Sequence, residues 1–147
     1  MVGAMRPATL LLALLPLTGC AEPPEPSDVW LGAYDVTFTE RVTPCDGEGE
    51  ESDEVTTETT LQIDRDAMGV FIDGACRIDL YVRTETYAST ARTHCLVTDP
   101  EGRSAQFELT TGTLVLDDDF ISGDWRYRAQ VENTCVNGHA TFEGFRR

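Results

Sequence analysis

The sequence predicts an all-β domain of about eight antiparallel strands, stapled by disulfides. The strands close into a small up-and-down barrel or, as the alternative, pack as a two-sheet β-sandwich. Three observations carry this prediction. From Trp30 onward, apolar and polar residues alternate with period two. Turn-forming clusters such as "DPEG" (Asp99 to Gly102) and "VNGH" (Val136 to His139) fall between the alternating runs. No stretch of this region repeats apolar residues at helical spacing. A chain of 147 residues has room for one such core and not for two, so residues 30–147 form a single domain.

Each strand has its own signal. In the first, Trp30, Gly32, Tyr34, Val36 and Phe38 share one face, and Asp35, Thr37, Thr39 and Arg41 the other. Val55, Thr57, Thr59, Leu61 and Ile63 continue the pattern more weakly. Met68, Val70 and Ile72 make a short third strand, and Asp73-Gly74 offers a tight hairpin turn after it. Cys76, Ile78, Leu80 and Val82 then alternate against Arg77, Asp79, Tyr81 and Arg83. The remaining strands run over 92–98, 104–116 (with Thr111-Gly112 as a potential fold point), 120–131 and 138–145. In 120–131, Ile121, Trp125, Tyr127 and Val131 oppose Asp124, Arg126 and Arg128.

Ahead of the domain, Ala8 to Leu17 ("ATLLLALLPL") is an apolar run behind a single arginine, Arg6. As a helix it would reach about 15 Å, half of a bilayer core, so it reads as the apolar part of a signal peptide over 1–19 and not as a membrane span. The residues that follow, Leu17-Thr18-Gly19-Cys20, resemble the lipobox of bacterial lipoproteins. That resemblance implies a diacylglyceryl group on the Cys20 thiol, cleavage before it, and anchorage by two or three acyl chains, each buried CH₂ contributing about 0.8 kcal/mol. Residue 21 is alanine where aspartate would signal inner-membrane retention. For a Gram-negative source the resemblance thus favours the outer membrane. Residues 20–29 then hold three prolines among acids, which suits an extended tether of about 3.1 Å per residue.

With Cys20 set aside, Cys45, Cys76, Cys95 and Cys135 form an even set in an exported protein, so two disulfides are expected. Three pairings exist. A hairpin folded about position 85–86 sets Cys76 opposite Cys95 on one face. If the barrel closes, its first and last strands are neighbours and Cys45 approaches Cys135. Geometry therefore prefers Cys76–Cys95 and Cys45–Cys135. The competing zinc reading, with His94 and His139 joining Cys95 and Cys135, lacks any CxxC pair.

Gly32-Ala33-Tyr34 resembles the glycine–any–tryptophan opening of lipocalins and related barrels. The likeness spans that tripeptide and the strand number, and it implies shape and not ligand. The chain departs from the lipocalins in stopping at Arg147, within the last strand, without their following helix.

Composition narrows the function. The chain has 26 acids against 11 bases, a formal net charge of -15. Every base is an arginine, which removes Schiff-base lysines and P-loop lysines. The arginines are scattered along the sequence with no basic stripe, so nucleic acid is not an expected partner. No nucleophile–base pair is legible: no serine occupies a nucleophile elbow, and paired cysteines leave no thiolate. The acidic loop "DGEGEESDE" (Asp46 to Glu54) suits calcium in its oxygen content only. The EF-hand pattern fails at Glu51, where glycine is needed, and at Thr57 in the twelfth position. No metal and no cofactor is called for.

The expectation is a non-enzymatic binding role for a lipid-anchored protein of the cell envelope. Its partners would be the membrane, through the anchor, and a small hydrophobic ligand held by Trp30, Tyr34, Phe38, Trp125 and Tyr127. In the alternative, the core is filled and the module engages an envelope protein through its outer face or edge strands.

Overall fold

The computed structural model describes residues 27–98 and 101–147. The expected signal peptide, Cys20 and most of the tether lie outside these residues, as do Asp99 and Pro100 of the "DPEG" turn. Nine antiparallel strands follow a short 3₁₀ turn at Asp28–Trp30. They are β1 (Gly32–Pro44), β2 (Val55–Asp66), β3 (Gly69–Asp73), β4 (Ile78–Val82), β5 (Tyr87–Thr90), β6 (Thr93–Thr98), β7 (Ser104–Asp117), β8 (Phe120–Val131) and β9 (Thr134–Arg146).

Except for β5 and β6, neighbours in sequence are neighbours in the sheet; β1 pairs with β9, and β5 pairs with β7. The sheet therefore closes on itself, which selects the barrel over the sandwich. β5 and β6 both pair with β7, β5 at Thr113–Val115 and β6 at Ser104–Leu109. Together they are one broken stave, so nine strands make eight staves. The expected fifth strand, 92–98, is thus only the second half of that stave.

The staves differ in height, and this gives the molecule two ends. β3, β4 and β5 pair only with the lower parts of their long neighbours, near Ile63, Ile72 and Val115. Here the ring is complete and packed. Trp30, Tyr34, Ile63, Leu114 and Ile121 are fully buried, each contributing about 1.5–3 kcal/mol by leaving water. Trp30 belongs to the 3₁₀ turn and not to the first strand, and it plugs this closed end. Its indole Nε1 donates to the Thr84 carbonyl at 3.0 Å, and the Tyr34 hydroxyl donates to the Trp30 carbonyl at 3.0 Å. The last strand locks the plug: Arg146 donates to the carbonyls of Val29 and Leu31, and its guanidinium lies 4.8 Å from the Tyr34 ring centre. The folded unit accordingly includes Asp28 and Val29, two residues ahead of the expected boundary, with Asp28 paired to Arg65 at 2.6 Å.

Toward the other end, β1, β2, β6, β7, β8 and β9 continue without β3–β5 between β2 and β6. The inward positions of β2 there, Val55, Thr57 and Thr59, are exposed. The bond Cys76–Cys95 joins the β3–β4 loop to β6, and Cys45–Cys135 ties the end of β1 to the start of β9.

Four turn readings are corrected by this architecture. Asp73-Gly74 opens a longer loop that carries Cys76, since Ile72 pairs with Ile78. Thr111-Gly112 does not fold back; β7 runs through with a bulge between Leu109 and Thr111. Met68 lies in the β2–β3 turn and is 79% exposed. "VNGH" lies inside β9, and the chain turns earlier, at Glu132, whose φ of 51° is left-handed. A glycine is needed at 138 for another reason: a Cβ there would sit 2.0 Å from the Tyr127 ring. The ring of Tyr127, on β8, lies across Gly138 on β9.

Candidate functional site

The five aromatic residues expected to hold a ligand all face inward, but they divide between the two ends. Trp30 and Tyr34 are sealed in the closed end with their polar tips satisfied. Phe38 and Trp125 stand at mid-height and stack with Phe142, at centroid distances of 5.4 Å (Phe38–Trp125), 4.9 Å (Phe38–Phe142) and 5.1 Å (Trp125–Phe142). Tyr127 lies nearer the open end, 5.2 Å from the ring of Phe107. Passing over Gly138, its hydroxyl reaches β1 and donates to Glu40 Oε2 at 2.7 Å. Burial, reinforced by that carboxylate, raises the Tyr127 phenol well above the ordinary tyrosine range. Burial likewise raises Tyr34.

Two polar atoms at mid-height are buried without a hydrogen-bond partner, Trp125 Nε1 and Thr90 Oγ1. Both residues flank Gly112, where a Cβ would meet Thr90 Oγ1 at 2.6 Å and Trp125 Cδ1 at 2.9 Å. Orphaned buried donors are uncommon and mark a position that a ligand group could satisfy.

The outer surface is polar along β1 and β8, while Tyr81, Tyr87, Val115 and Phe145 are exposed on other strands. β1 presents Asp35, Thr37, Thr39 and Arg41 outward, and β8 presents Asp124, Arg126 and Arg128. Among the described residues, no helix is long and apolar enough to cross a membrane.

On this surface the open half carries a groove that the sequence did not disclose. Register brings His94 of β6, Glu108 of β7 and Arg128 of β8 into one row, with Leu96, Gln106 and Gln130 in the next. These six side chains line a cleft of about 510 Å³. A second cleft of about 350 Å³ shares Glu108 and Arg128 and adds Arg92, Thr110, Arg126 and Asn137. The bulge sets its middle: Thr110 donates to the Arg126 carbonyl at 2.8 Å. Arg92 Nε donates to Glu108 Oε1 at 2.7 Å, and His94 Nε2 lies 3.6 Å from the same oxygen. The Arg92 hydrogen bond, with the charges of Arg92, His94 and Arg128, holds the Glu108 carboxyl below its usual range.

The phase of Arg126 and Arg128, opposite Trp125 and Tyr127, was legible in the sequence. Their convergence with Arg92 and His94 was not, because it depends on register across three strands. His139 meets Asp124 at 2.7 Å, and Cys95 and Cys135 are engaged in disulfides, which removes the thiolates the zinc reading requires. In the acidic loop, Ser52 N donates to the Val42 carbonyl at 2.8 Å and Arg41 pairs with Glu54 at 3.2 Å, so the loop folds back along β1.

No protein-family model matches the chain, and no curated protein matches it. Solved structures do resemble it. The chain is similar to a "putative outer membrane protein" from Bacteroides fragilis NCTC 9343, with TM-score 0.52 and 10% identity over 82% of this chain and 52% of that one. It spans about half the length of that protein. Weaker matches are the ywiB protein from Bacillus subtilis (TM-score 0.39, 11% identity, 77% of this chain and 92% of that chain) and Ail, the attachment invasion locus protein of Yersinia pestis (TM-score 0.36, 9% identity, 80% and 99%). At such identities the first likeness concerns fold alone: this chain and part of the Bacteroides protein share an antiparallel β architecture.

Proposed function

We propose that the protein is a lipid-anchored module of the bacterial cell envelope whose β-barrel binds a partner without catalysis, through its outer β6–β9 face. The observation that carries this reading is the contrast between inside and outside. The closed half of the barrel is filled by its own side chains, while clefts lined by charged and amide groups open on the outer surface. The anchor rests on the lipobox-like Leu17-Thr18-Gly19-Cys20, and export agrees with two disulfides in the domain. Outer-membrane placement rests on Ala21 after the cysteine. No nucleophile–base pair supports catalysis.

A second reading, a small hydrophobic ligand within the open half, is favoured by one observation: the buried, unpartnered Trp125 Nε1. Such a ligand would carry a carbonyl or hydroxyl to accept from the indole. Native mass spectrometry of the protein made with its own leader separates the two. A mass explained by protein, acyl chains and two disulfides supports the outer-face reading; a further adduct released on activation supports the second. Replacing Cys20 by serine should release the protein from membranes. If that variant still fractionates with lipid after leader cleavage, the anchor reading fails.

A further inference from the structure

We infer that the outer groove is a binding site for a saccharide bearing isolated anionic groups, with Arg126 and Arg128 holding a carboxylate, sulfate or phosphate of the sugar. This rests on the outer-face reading above and names its ligand class.

The inference begins from a charge balance. In a chain with 26 acids against 11 bases, an arginine should find a carboxylate easily. Among the described residues Arg41, Arg65, Arg77, Arg92, Arg103, Arg146 and Arg147 each do so. Arg126 and Arg128 do not, and neither does Arg83, which lies outside the groove with its guanidinium 5.6 Å from the Tyr81 ring. Arg126 and Arg128 both lie in the groove, two residues apart on one strand and so about 6.7 Å apart along it. Arg128 Nε meets Cys135 Sγ at 3.0 Å and its charge acts on Glu108 without an ion-pair contact, and no contact engages the Arg126 guanidinium. Glu108, opposite Arg128 in the register, is held by Arg92, and Asp124, beyond Arg126 on β8, meets His139. The site thus keeps two planar, permanently charged forks aimed outward, with the competing carboxylates already engaged. Such forks bind carboxylate, sulfate and phosphate groups bidentately.

The rest of the lining selects among anionic ligands. Gln106, Gln130 and Asn137 are planar amides, each offering a donor and an acceptor, the combination that recognises a pair of adjacent hydroxyls. Leu96, 64% exposed, offers an apolar patch in a lining that also includes Cys95 and Phe107, suited to the C–H face of a sugar ring. Nothing in the groove would receive an acyl chain. A net charge of -15 repels densely charged polymers and anionic bilayers at long range, so a ligand with spaced charges fits and a nucleic acid does not. The two clefts span β6 to β9, about 14 Å at the usual strand spacing, enough for a few linked sugars.

The test uses full-length protein made with its own leader and purified in detergent. The probes are trigalacturonate, a neutral trisaccharide (maltotriose), inorganic sulfate and phosphatidylglycerol vesicles, each titrated by calorimetry at low ionic strength. Trigalacturonate should bind at least tenfold more tightly than maltotriose and than sulfate. Arg126→Gln/Arg128→Gln should weaken it at least tenfold, whereas Arg83→Gln should leave it unchanged. Arg83→Gln is the control for each single variant, Arg126→Gln and Arg128→Gln, because it removes one arginine charge outside the groove, where its guanidinium lies 5.6 Å from the Tyr81 ring.

Equal binding of maltotriose, equal binding of sulfate, or an unchanged double variant would each overturn the assignment. So would vesicle binding without trigalacturonate binding, which would make the membrane the partner. An internal adduct in the mass spectrum would instead count against the outer-face reading itself, so the two failures are distinguishable.

Discussion

Replacing Cys45 and Cys135 together by serine removes a bond whose partners are separated by 90 residues, against 19 for Cys76–Cys95. In the chain-entropy description, the long loop contributes about 4.6 kcal/mol at 25 °C and the short one about 3.2 kcal/mol. The folded state should barely register the loss of the first. The bond lies beyond Pro44↔Val136, the last pair of the β1–β9 ladder, and the ladder itself remains. The cost therefore falls on the unfolded chain, which expands.

Guanidinium unfolding followed by tryptophan fluorescence would read this, since both Trp30 and Trp125 are buried. The expected result is a loss of about 4–5 kcal/mol with a larger m-value, and a fall in Tm of roughly 15–25 °C for a domain of this size. For Cys76→Ser/Cys95→Ser the expected loss is smaller, about 3 kcal/mol. If the long-loop variant loses no more than the short-loop variant, or keeps its m-value, the unfolded-state argument is refuted.

Three further predictions follow from the interior and its ion pairs. Tyr127→Phe should cost about 1–2 kcal/mol by removing the hydrogen bond to Glu40, measurable by denaturant unfolding at neutral pH. Because the folded phenol titrates above the unfolded value near 10, its contribution is complete below about pH 10 and is lost as pH rises toward the folded value. The alkaline loss of stability should therefore be shallower in Tyr127→Phe than in the parent. Gly138→Ala places a methyl group against the Tyr127 ring and should cost about 1–3 kcal/mol, with loss of the Glu40 contact visible as a shifted Tyr127 resonance. Asp66, hydrogen-bonded by Arg77 at 2.6 Å and by the Met68 amide, has its carboxyl lowered to about 2. Carbon-detected titration should place its midpoint there in the parent and nearer 4 in Arg77→Gln. Its contribution to stability is present above pH 4 and lost as pH falls toward 2.

Much of the barrel was legible because alternation is a local property. β8 spans the residues that its alternation marks, 120 to 131, and the inward set Tyr34, Val36, Ile63, Leu80 and Phe142 follows from phase alone. What escaped was set by partners distant in sequence. β5 is four residues long and mostly polar, and it exists as a strand because β4 and β7 flank it. Asn137-Gly138 has the composition of a turn, yet the glycine answers to a tyrosine on the adjacent strand. The groove depends on the bulge at Thr110, which sets which β7 residue stands beside Arg126 and Arg128. Trp30 shares the inward phase of β1 yet belongs to the 3₁₀ turn ahead of it, since a turn of three residues leaves no periodic trace.

Closure of the ring has a consequence for timing. The seam is β1 against β9, running from Tyr34↔Arg146 to Pro44↔Val136. The seam therefore cannot form until residues 136–146 have left the ribosome, and the plug at Trp30 waits on Arg146. Local hairpins such as β7–β8 can zip early, but the cooperative structure is deferred by long-range pairing, which folds slowly. On the envelope reading proposed above, in which the chain threads a translocation channel unfolded, this order would keep the polypeptide export-competent. The covalent tie Cys45–Cys135, drawn between the same two strands, then seals the seam where thiols are oxidised.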